Sequence, residues 1–231
     1  KTLNLHKQSG VIIFGDGRGN AGSWHGFMAG TDAIEYGWNG WNRHNRSQIM
    51  WDGATPAPMI DVKASNHFSI RDISLLGESG VKTEPTGRRC SVGVFAPDES
   101  GWATGMFSIK DTHFISCDTG LQLGYRGKEN GSDNCADYAL YNVVFTGCKI
   151  GVHANTQQSV NHYWYNVCIG DCDIAASFDY GGDLRWYGGG FARAIRSEEG
   201  KQLARLDGEI QTVERPQVAV VHGEVFDLDH G

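Results

Sequence analysis

An internal repeat between Phe107 and Phe191 constrains the fold of this chain more than any other feature of its sequence. Four copies of one template can be aligned, and a fainter copy precedes them at Ile70. The clear copies begin at Ile109, Leu140, Trp164 and Trp186. From start to start, the five copies are spaced by 39, 31, 24 and 22 residues. Repetition at a period in the twenties, with strand-like segments in each unit, is typical of a solenoid.

Each copy carries the same residue types at the same distance from its first residue. Two residues on stands a turn former, namely Asp72, Asp111, Asn142, Asn166 or Gly188. Five residues on stands a large apolar residue, namely Leu75, Phe114, Phe145, Ile169 or Phe191. Eight residues on, the clear copies have Cys117, Cys148, Cys172 and Ala194, and three of them have Gly120, Gly151 or Ala175 three residues later. These columns predict an all-β fold, a single-stranded right-handed parallel β-helix whose coils stack about 4.8 Å apart.

The columns predict structural roles for their residues. Asp and Asn tolerate a left-handed backbone, so their column is predicted to form a bend rather than a catalytic site, despite its two carboxylates. The column of large apolar residues is predicted to stack inward as the core. The cysteines lack the CxxC spacing of metal and redox motifs, which favours buried thiols over disulfides or a metal site.

The template divides the chain into three regions. Residues 1–48 hold an N-terminal strand and an irregular region rich in Gly, Asn and Trp, which caps the stack or carries function. Residues 49–200 are predicted to form the β-helix coils, and residues 201–231 the last coils or the start of a further module. Because the sequence begins at Lys1, without an initiator Met or a signal peptide, we expect a piece of a longer or processed protein.

Composition favours strands over helices and argues against two classes of partner. Glycine accounts for 32 of 231 residues, about twice its usual share. The formal net charge of −7 disfavours binding to nucleic acid or to an anionic membrane. No apolar run approaches the roughly 18 residues that a membrane span requires, so membrane insertion is not expected.

Insertions recur beside one predicted strand of each coil, at 97–105, 125–137, 156–162 and 180–183. Insertions on one face of a repeat protein commonly build its binding site. If the apolar residues of the neighbouring strand point inward, the residues between them point outward. The outward set comprises Gln122, Gly124, His153, Asn155, Ser177, Asp179, Arg196 and Glu198.

This outward set includes candidates for catalysis on a polysaccharide. Asp179 and Glu198, on adjacent coils about 5 Å apart, have the carboxyl spacing of a retaining glycosidase. His153 is a candidate base, and Arg196 a candidate clamp for a sugar acid. Further ligand-binding candidates are Gln122, Asn155 and Tyr125. The competing interpretation is an ordinary solvated outer face.

Aromatic residues and the remaining motifs add little to this site. Flat apolar ring faces are expected from Tyr125, Tyr163, Tyr165, Tyr180 and Tyr187, whereas Trp164 and Trp186 are predicted to be interior. A GxGxxG pattern at Gly17, Gly19 and Gly22 is not followed by a helical pattern, so a dinucleotide site is discounted. There is no HExxH, P-loop or GxSxG motif, so we expect neither a cofactor nor a metal.

The repeat resembles the pectate-lyase-like β-helix superfamily, and most of all the shafts of bacteriophage tailspikes and tail fibres. The resemblance is carried by Phe107–Gly120, Tyr141–Gly151 and Trp164–Cys172 and covers roughly residues 49–200. It implies a homotrimer that binds bacterial surface polysaccharide and sometimes cleaves it with an acidic pair. The paired aspartates and Arg-x-Lys of polygalacturonases and the calcium-binding aspartates of pectate lyases are missing, which argues against an activity on pectin.

Three hypotheses follow. The first is a phage tail β-helix, located on the virion, that binds host polysaccharide with or without cleaving it. The second is a secreted microbial polysaccharide lyase or glycoside hydrolase, which is also extracellular. The third is a structural virion component without a ligand. A polysaccharide depolymerase is the enzyme class that the first two hypotheses share.

Overall fold

The computed structural model describes residues 1–16, 47–81, 84–99, 102–125, 134–156, 158–170, 172–180 and 182–192. Most of the predicted N-terminal cap and all of 201–231 lie outside these ranges. So do two predicted site residues, Arg196 and Glu198. The domain boundaries predicted from the sequence therefore remain predictions.

The described residues form strands and contain no helix. The strands are β1 (Leu3–Asn4), β2 (Ile12–Phe14), β3 (Gln48–Met50), β4 (Pro58–Asp61), β5 (Ser69–Leu76), β6 (Glu78–Val81), β7 (Glu84–Arg89), β8 (Val92–Ala96), β9 (Phe107–Ile115), β10 (Thr119–Leu123), β11 (Tyr138–Tyr141), β12 (Val144–Thr146), β13 (Ile150–Asn155), β14 (His162–Gly170), β15 (Ile174–Tyr180) and β16 (Leu184–Ala192). The predicted all-β class is confirmed.

Two parallel sheets account for nearly all of these strands. Sheet I has the order β1-β4-β8-β10-β13-β15, and every neighbouring pair in it is parallel. Sheet II contains β2, β3, β5, β9, β11, β12, β14 and β16, also in parallel pairs. From β4 onward the chain passes back and forth between the two sheets, with β11 and β12 forming one pass through sheet II and the antiparallel hairpin of β6 and β7 standing outside both sheets. Parallel neighbours thus come from separate passes of the chain.

The predicted apolar column runs across sheet II in register. Leu75 pairs with Phe114, Phe114 with Phe145, and Phe145 with Ile169. All four side chains are buried, and the rings of Phe114 and Phe145 stack with centroids 4.7 Å apart. The prediction that these residues form one inward file is confirmed.

Sheet I contributes the facing side of the core. Ile60, Val94, Leu121, Val152 and Ala176 pair in register across β4, β8, β10, β13 and β15. Each of these side chains is buried and belongs to the same apolar cluster as the sheet II column. The inward direction predicted for the last three of them is therefore right, and the intervening residues lie on the outer face of sheet I.

The Asp/Asn column forms the bend predicted for it. Positive φ angles of 46–57° occur at Asp72, Asp111, Asn142 and Asn166. The Asn142 amide donates to Asp111 Oδ1 at 3.1 Å, and the Asn166 amide donates to Asn142 Oδ1 at 2.9 Å. This side-chain ladder satisfies the polar groups of the bend, so the column is structural.

A column of small residues makes room for the aromatic file. A Cβ atom added at Gly120 would lie 2.5 Å from a ring carbon of Phe145 and 2.6 Å from the carbonyl oxygen of Gly151. Gly151 has equally little room, since its added Cβ would lie 2.5 Å from the carbonyl oxygen of Ala175. The template needs glycine here because neighbouring backbone and rings approach too closely for a side chain.

Candidate functional site

The candidate site lies on the outer face of sheet I, along one file of paired residues. Asp61, Phe95, Gln122, His153 and Ser177 are partners in register across five strands. The sequence places Gln122, His153 and Ser177 on this face, and the strand register agrees. Apolar, amide, imidazole and hydroxyl side chains thus follow one another at the spacing of neighbouring strands, about 4.8 Å.

Several residues of this face are buried, although a solvated outer face is the ordinary expectation. The exposed fractions are 3% for Gln122, 4% for His153 and 4% for Asn155. The Gln122 amide turns back along its own strand and donates to the carbonyl oxygen of Gly124 at 3.2 Å. Buried amides and imidazoles are retained where hydrogen bonds satisfy them. These three side chains are therefore packed against neighbouring residues and have little contact with solvent.

Asp179 is brought into the site by a β-bulge. Ala154 pairs with Phe178, but the next pair is Asn155 with Tyr180, so Asp179 is an extra residue in β15. Strict alternation within the outward set predicts that Asn155 and Asp179 share one column, and this prediction is wrong because the inserted residue breaks the alternation. Bulges commonly redirect a side chain next to a functional site. The Asp179 side chain remains 44% exposed.

Two hydrogen bonds fix the Asp179 carboxylate. His153 Nε2 lies 2.8 Å from Asp179 Oδ2, and the Ser177 hydroxyl donates to Asp179 Oδ1 at 2.7 Å. Because an ionised carboxylate only accepts hydrogen bonds, the proton between His153 and Asp179 belongs to Nε2. Such charge-assisted bonds are among the stronger ones in proteins.

The other ring nitrogen of His153 is enclosed. Nδ1 is buried and has no hydrogen-bond partner within the described part of the chain. With Nε2 directed at Asp179 and Nδ1 away from solvent, the imidazole is placed to orient the carboxylate rather than to meet a substrate. Of the two side chains, Asp179 is the exposed one and His153 is the buried one that fixes its orientation.

An aromatic pair lies on the same face. The rings of Phe95 and Tyr125 meet edge to face, with centroids 5.6 Å apart, and both side chains are partly exposed. Phe95 is the direct neighbour of Gln122 in the file. The predicted ligand-binding residue Tyr125 follows β10, the strand that pairs with the His153 strand, and so provides apolar surface one strand from His153. The predicted partners Glu198 and Arg196 lie outside the described residues, so their distances to Asp179 stay untested.

A second aromatic surface on sheet II differs from the sequence-based prediction. Tyr141, Tyr165 and Tyr187 stack in one file, with centroid separations of 4.9 and 5.1 Å. The guanidinium of Arg185 covers the ring of Tyr163 at 5.1 Å. The sequence predicts flat, accessible ring faces at Tyr163, Tyr165 and Tyr187. Instead, Arg185 covers the ring of Tyr163, and the stacked rings of Tyr165 and Tyr187 expose mainly their edges. The position after each template start, where Tyr141, Tyr165 and Tyr187 stand, is the signal that indicates this file.

The remaining structural features and the comparisons with known proteins do not identify a ligand for this site. In the part of the chain that the structure describes, no helix is long and apolar enough to cross a membrane. Across the same residues, no group of three or more His, Cys, Asp or Glu side chains is arranged to hold a metal ion. Comparisons with protein-family models, with curated proteins and with solved structures found no match.

Proposed function

We propose that this chain is a right-handed parallel β-helix of the pectate-lyase-like type, which binds host surface polysaccharide as part of a bacteriophage tailspike or tail fibre. The two parallel sheets, visited alternately by the chain, support the fold. So do the stacked columns of like residues. The proposed location is the virion tail or another extracellular setting, and the proposed assembly is a homotrimer, as the sequence resemblance implies.

The observation that carries the proposed binding is the exposed, doubly hydrogen-bonded Asp179 carboxylate on the outer face of sheet I. Sugar hydroxyls are hydrogen-bond donors, and a carboxylate held in a fixed orientation accepts them without first losing side-chain freedom. Phe95 and Tyr125 add apolar contact on the same face. A polar group of fixed geometry beside apolar surface is the usual composition of a ligand site.

Cleavage is proposed as an extension of binding. Asp179 would act as nucleophile or base, with His153 as the residue that positions it. A retaining hydrolase needs a second carboxyl about 5 Å away, for which Glu198 is the candidate from the sequence. A secreted lyase or hydrolase would use the same residues. The burial of Gln122, His153 and Asn155, by contrast, favours the third hypothesis, a structural virion component without a ligand.

Asp179→Asn tests the proposed function. We expect the polysaccharide Kd to rise about 10- to 150-fold, the equivalent of a lost hydrogen bond to a charged group. The measurement is retention of the protein on a panel of immobilised bacterial surface polysaccharides, with the polymer size followed in parallel. Loss of polymer size with the wild-type chain, but not with the variant, would indicate cleavage.

Asp173→Asn is the matched control, because Asp173 is exposed and lies outside the site. It should bind like the wild type. Equal binding by Asp179→Asn and wild type would contradict the site assignment, and the absence of binding to any polysaccharide would favour the structural role. A native mass of three chains would support the tailspike proposal over a monomeric secreted enzyme.

A further inference from the structure

Four cysteines form a continuous file along the corner that follows sheet II. The backbone hydrogen bonds establish their register, since Asp118 N donates to Cys90 O, Lys149 N to Cys117 O and Asp173 N to Cys148 O, at 3.1–3.2 Å. Consecutive members of the file are thus Cys90, Cys117, Cys148 and Cys172. The sequence template indicates the last three, and Cys90 extends the file by one pass of the chain.

The thiols of this file point the same way. Cys117, Cys148 and Cys172 each direct Sγ to the carbonyl oxygen two residues earlier, at 3.6, 3.8 and 3.4 Å. In this file, Cys148 stands between Cys117 and Cys172. Neighbouring strands lie about 4.8 Å apart, within the 4.4–6.8 Å between Cα atoms that a disulfide requires.

The file is accessible at one end and carries positive charge in its middle. Cys90, Cys117 and Cys148 are buried, whereas Cys172 is partly exposed. Arg89 Nη1 donates to the carbonyl oxygen of Gly147, beside Cys148, at 3.4 Å. The adjoining thiols of Cys117 and Cys172 lower the pKa of Cys148, and the Arg89 charge lowers it further, against the opposing effect of burial. A thiolate is the nucleophilic form of cysteine, so Cys148 is prepared to attack a neighbouring sulfur.

We propose that Cys148 and Cys172 form a redox-active pair that a peroxide converts into a disulfide between successive passes of the chain. The Cys172 thiolate attacks one peroxide oxygen, the O–O bond breaks, and hydroxide leaves, which gives a sulfenic acid. The Cys148 thiolate then attacks this sulfur, forms the S–S bond and displaces a second hydroxide. The two thiol protons and the two hydroxides make two waters, so two thiols are oxidised and one hydrogen peroxide is reduced.

The test uses the intact protein and hydrogen peroxide. Wild type should lose two titratable thiols and about 2 Da of mass, and dithiothreitol should reverse both changes. Digestion with trypsin and an Asp-specific protease separates Cys148 from Cys135, and Cys172 from Cys168, because Asp137 and Asp171 lie between them. Peptide mapping of the oxidised wild type should therefore show a Cys148–Cys172 link, without reliance on a variant.

Matched variants complete the test. Cys172→Ser and Cys148→Ser should each abolish the reversible loss of two thiols, while Cys168→Ser, which lies off the file, should behave like wild type. A disulfide between any pair other than Cys148 and Cys172 would overturn the proposal. So would irreversible oxidation of Cys172 in the wild type without formation of a disulfide. Because the polysaccharide site does not enter this experiment, its outcome is independent of the proposed function.

Discussion

His162 is a histidine that the fold keeps neutral. It is fully buried in a chain of hydrogen bonds in which Trp164 Nε1 donates to Tyr138 Oη at 3.1 Å, and Tyr138 Oη donates to His162 Nδ1 at 2.7 Å. The Nε2 of His162 donates in turn to the carbonyl oxygen of Ser159 at 2.9 Å. Burial lowers the pKa of His162 to about 4, because a charged imidazolium would lose its hydration.

Acid should therefore weaken the fold through His162. Between about pH 6.5 and pH 4 the unfolded chain binds a proton at this residue and the folded chain does not, so stability falls as pH falls through this window. The shift from the ordinary pKa of 6.5 corresponds to about 3 kcal/mol. Urea unfolding at a series of pH values measures it. His162→Gln should flatten the pH dependence, whereas His67→Gln, at an exposed position, should leave it unchanged.

The candidate site shows which features of single residues the sequence predicts and which it does not. Alternation along a strand is enough to place His153 on the outer face and Val152 in the core, because neighbouring side chains point to opposite faces. Alternation contains no information on the bulge at Asp179, which depends on the pairing of β13 with β15. The burial of His153 likewise depends on the residues packed around it, which alternation along its own strand does not predict.

At the scale of elements, sheet II carries two columns of left-handed residues, one along the middle of its strands and one just before them. The first is the Asp/Asn bend predicted from the sequence. The second stands three residues before each template start, at His67, Met106, Asp137, Asn161 and Asp183, with φ between 50 and 60°. Sequence reasoning missed this second column, because His and Met do not indicate a left-handed backbone and only the last three residues are typical turn formers.

Asn142→Ala tests the bend. The substitution removes the hydrogen bonds to Asp111 and Asn166 and places a Cβ-bearing residue without a local polar partner at a φ of 51°. We expect a loss of about 2 kcal/mol in the free energy of unfolding, measured by denaturant titration. Asn142→Gly keeps the backbone freedom and should lose about half as much. An alanine variant as stable as the glycine variant would contradict the backbone argument.

At the scale of the whole molecule, each of the two sheets formed by the described residues has inner strands and edge strands. The strands β9, β10 and β13 have partners on both sides, whereas β1 and β2 are edge strands of sheets I and II. Apolar side chains on the edge strands are partly uncovered, with Leu3 42%, Ile12 55% and Phe14 66% exposed. An edge strand has one neighbour to hold it and an inner strand has two, so the edge strands are expected to open first.

Amide hydrogen exchange should show this gradient. We expect protection to be greatest in β9, β10 and β13 and least in β1 and β2, because each inner strand opens only when two interfaces break. Mass spectrometry of peptides after timed exchange measures the difference. Equal protection of β1 and β10 would mean that the described sheets open as a single cooperative unit.

The sequence predicts the fold class better than it predicts the surface. A column of like residues predicts parallel stacking because the spacing between copies specifies which residues meet, as with Phe114 and Phe145. The β6–β7 hairpin, by contrast, lies in a polar insertion from 77 to 92 that matches no copy of the template. Surface features of this kind follow from local pairing, which repetition does not encode.

The register between successive passes of the chain has a consequence for how such a protein can diversify. Leu121 meets Val152 directly, although the template copies differ in spacing from 39 to 22 residues. The peptide that joins one corner to the next can therefore lengthen, shorten or be exchanged while the ladder keeps its alignment. A framework of this kind permits change in the segments between its strands with little cost to the pairing of the strands themselves.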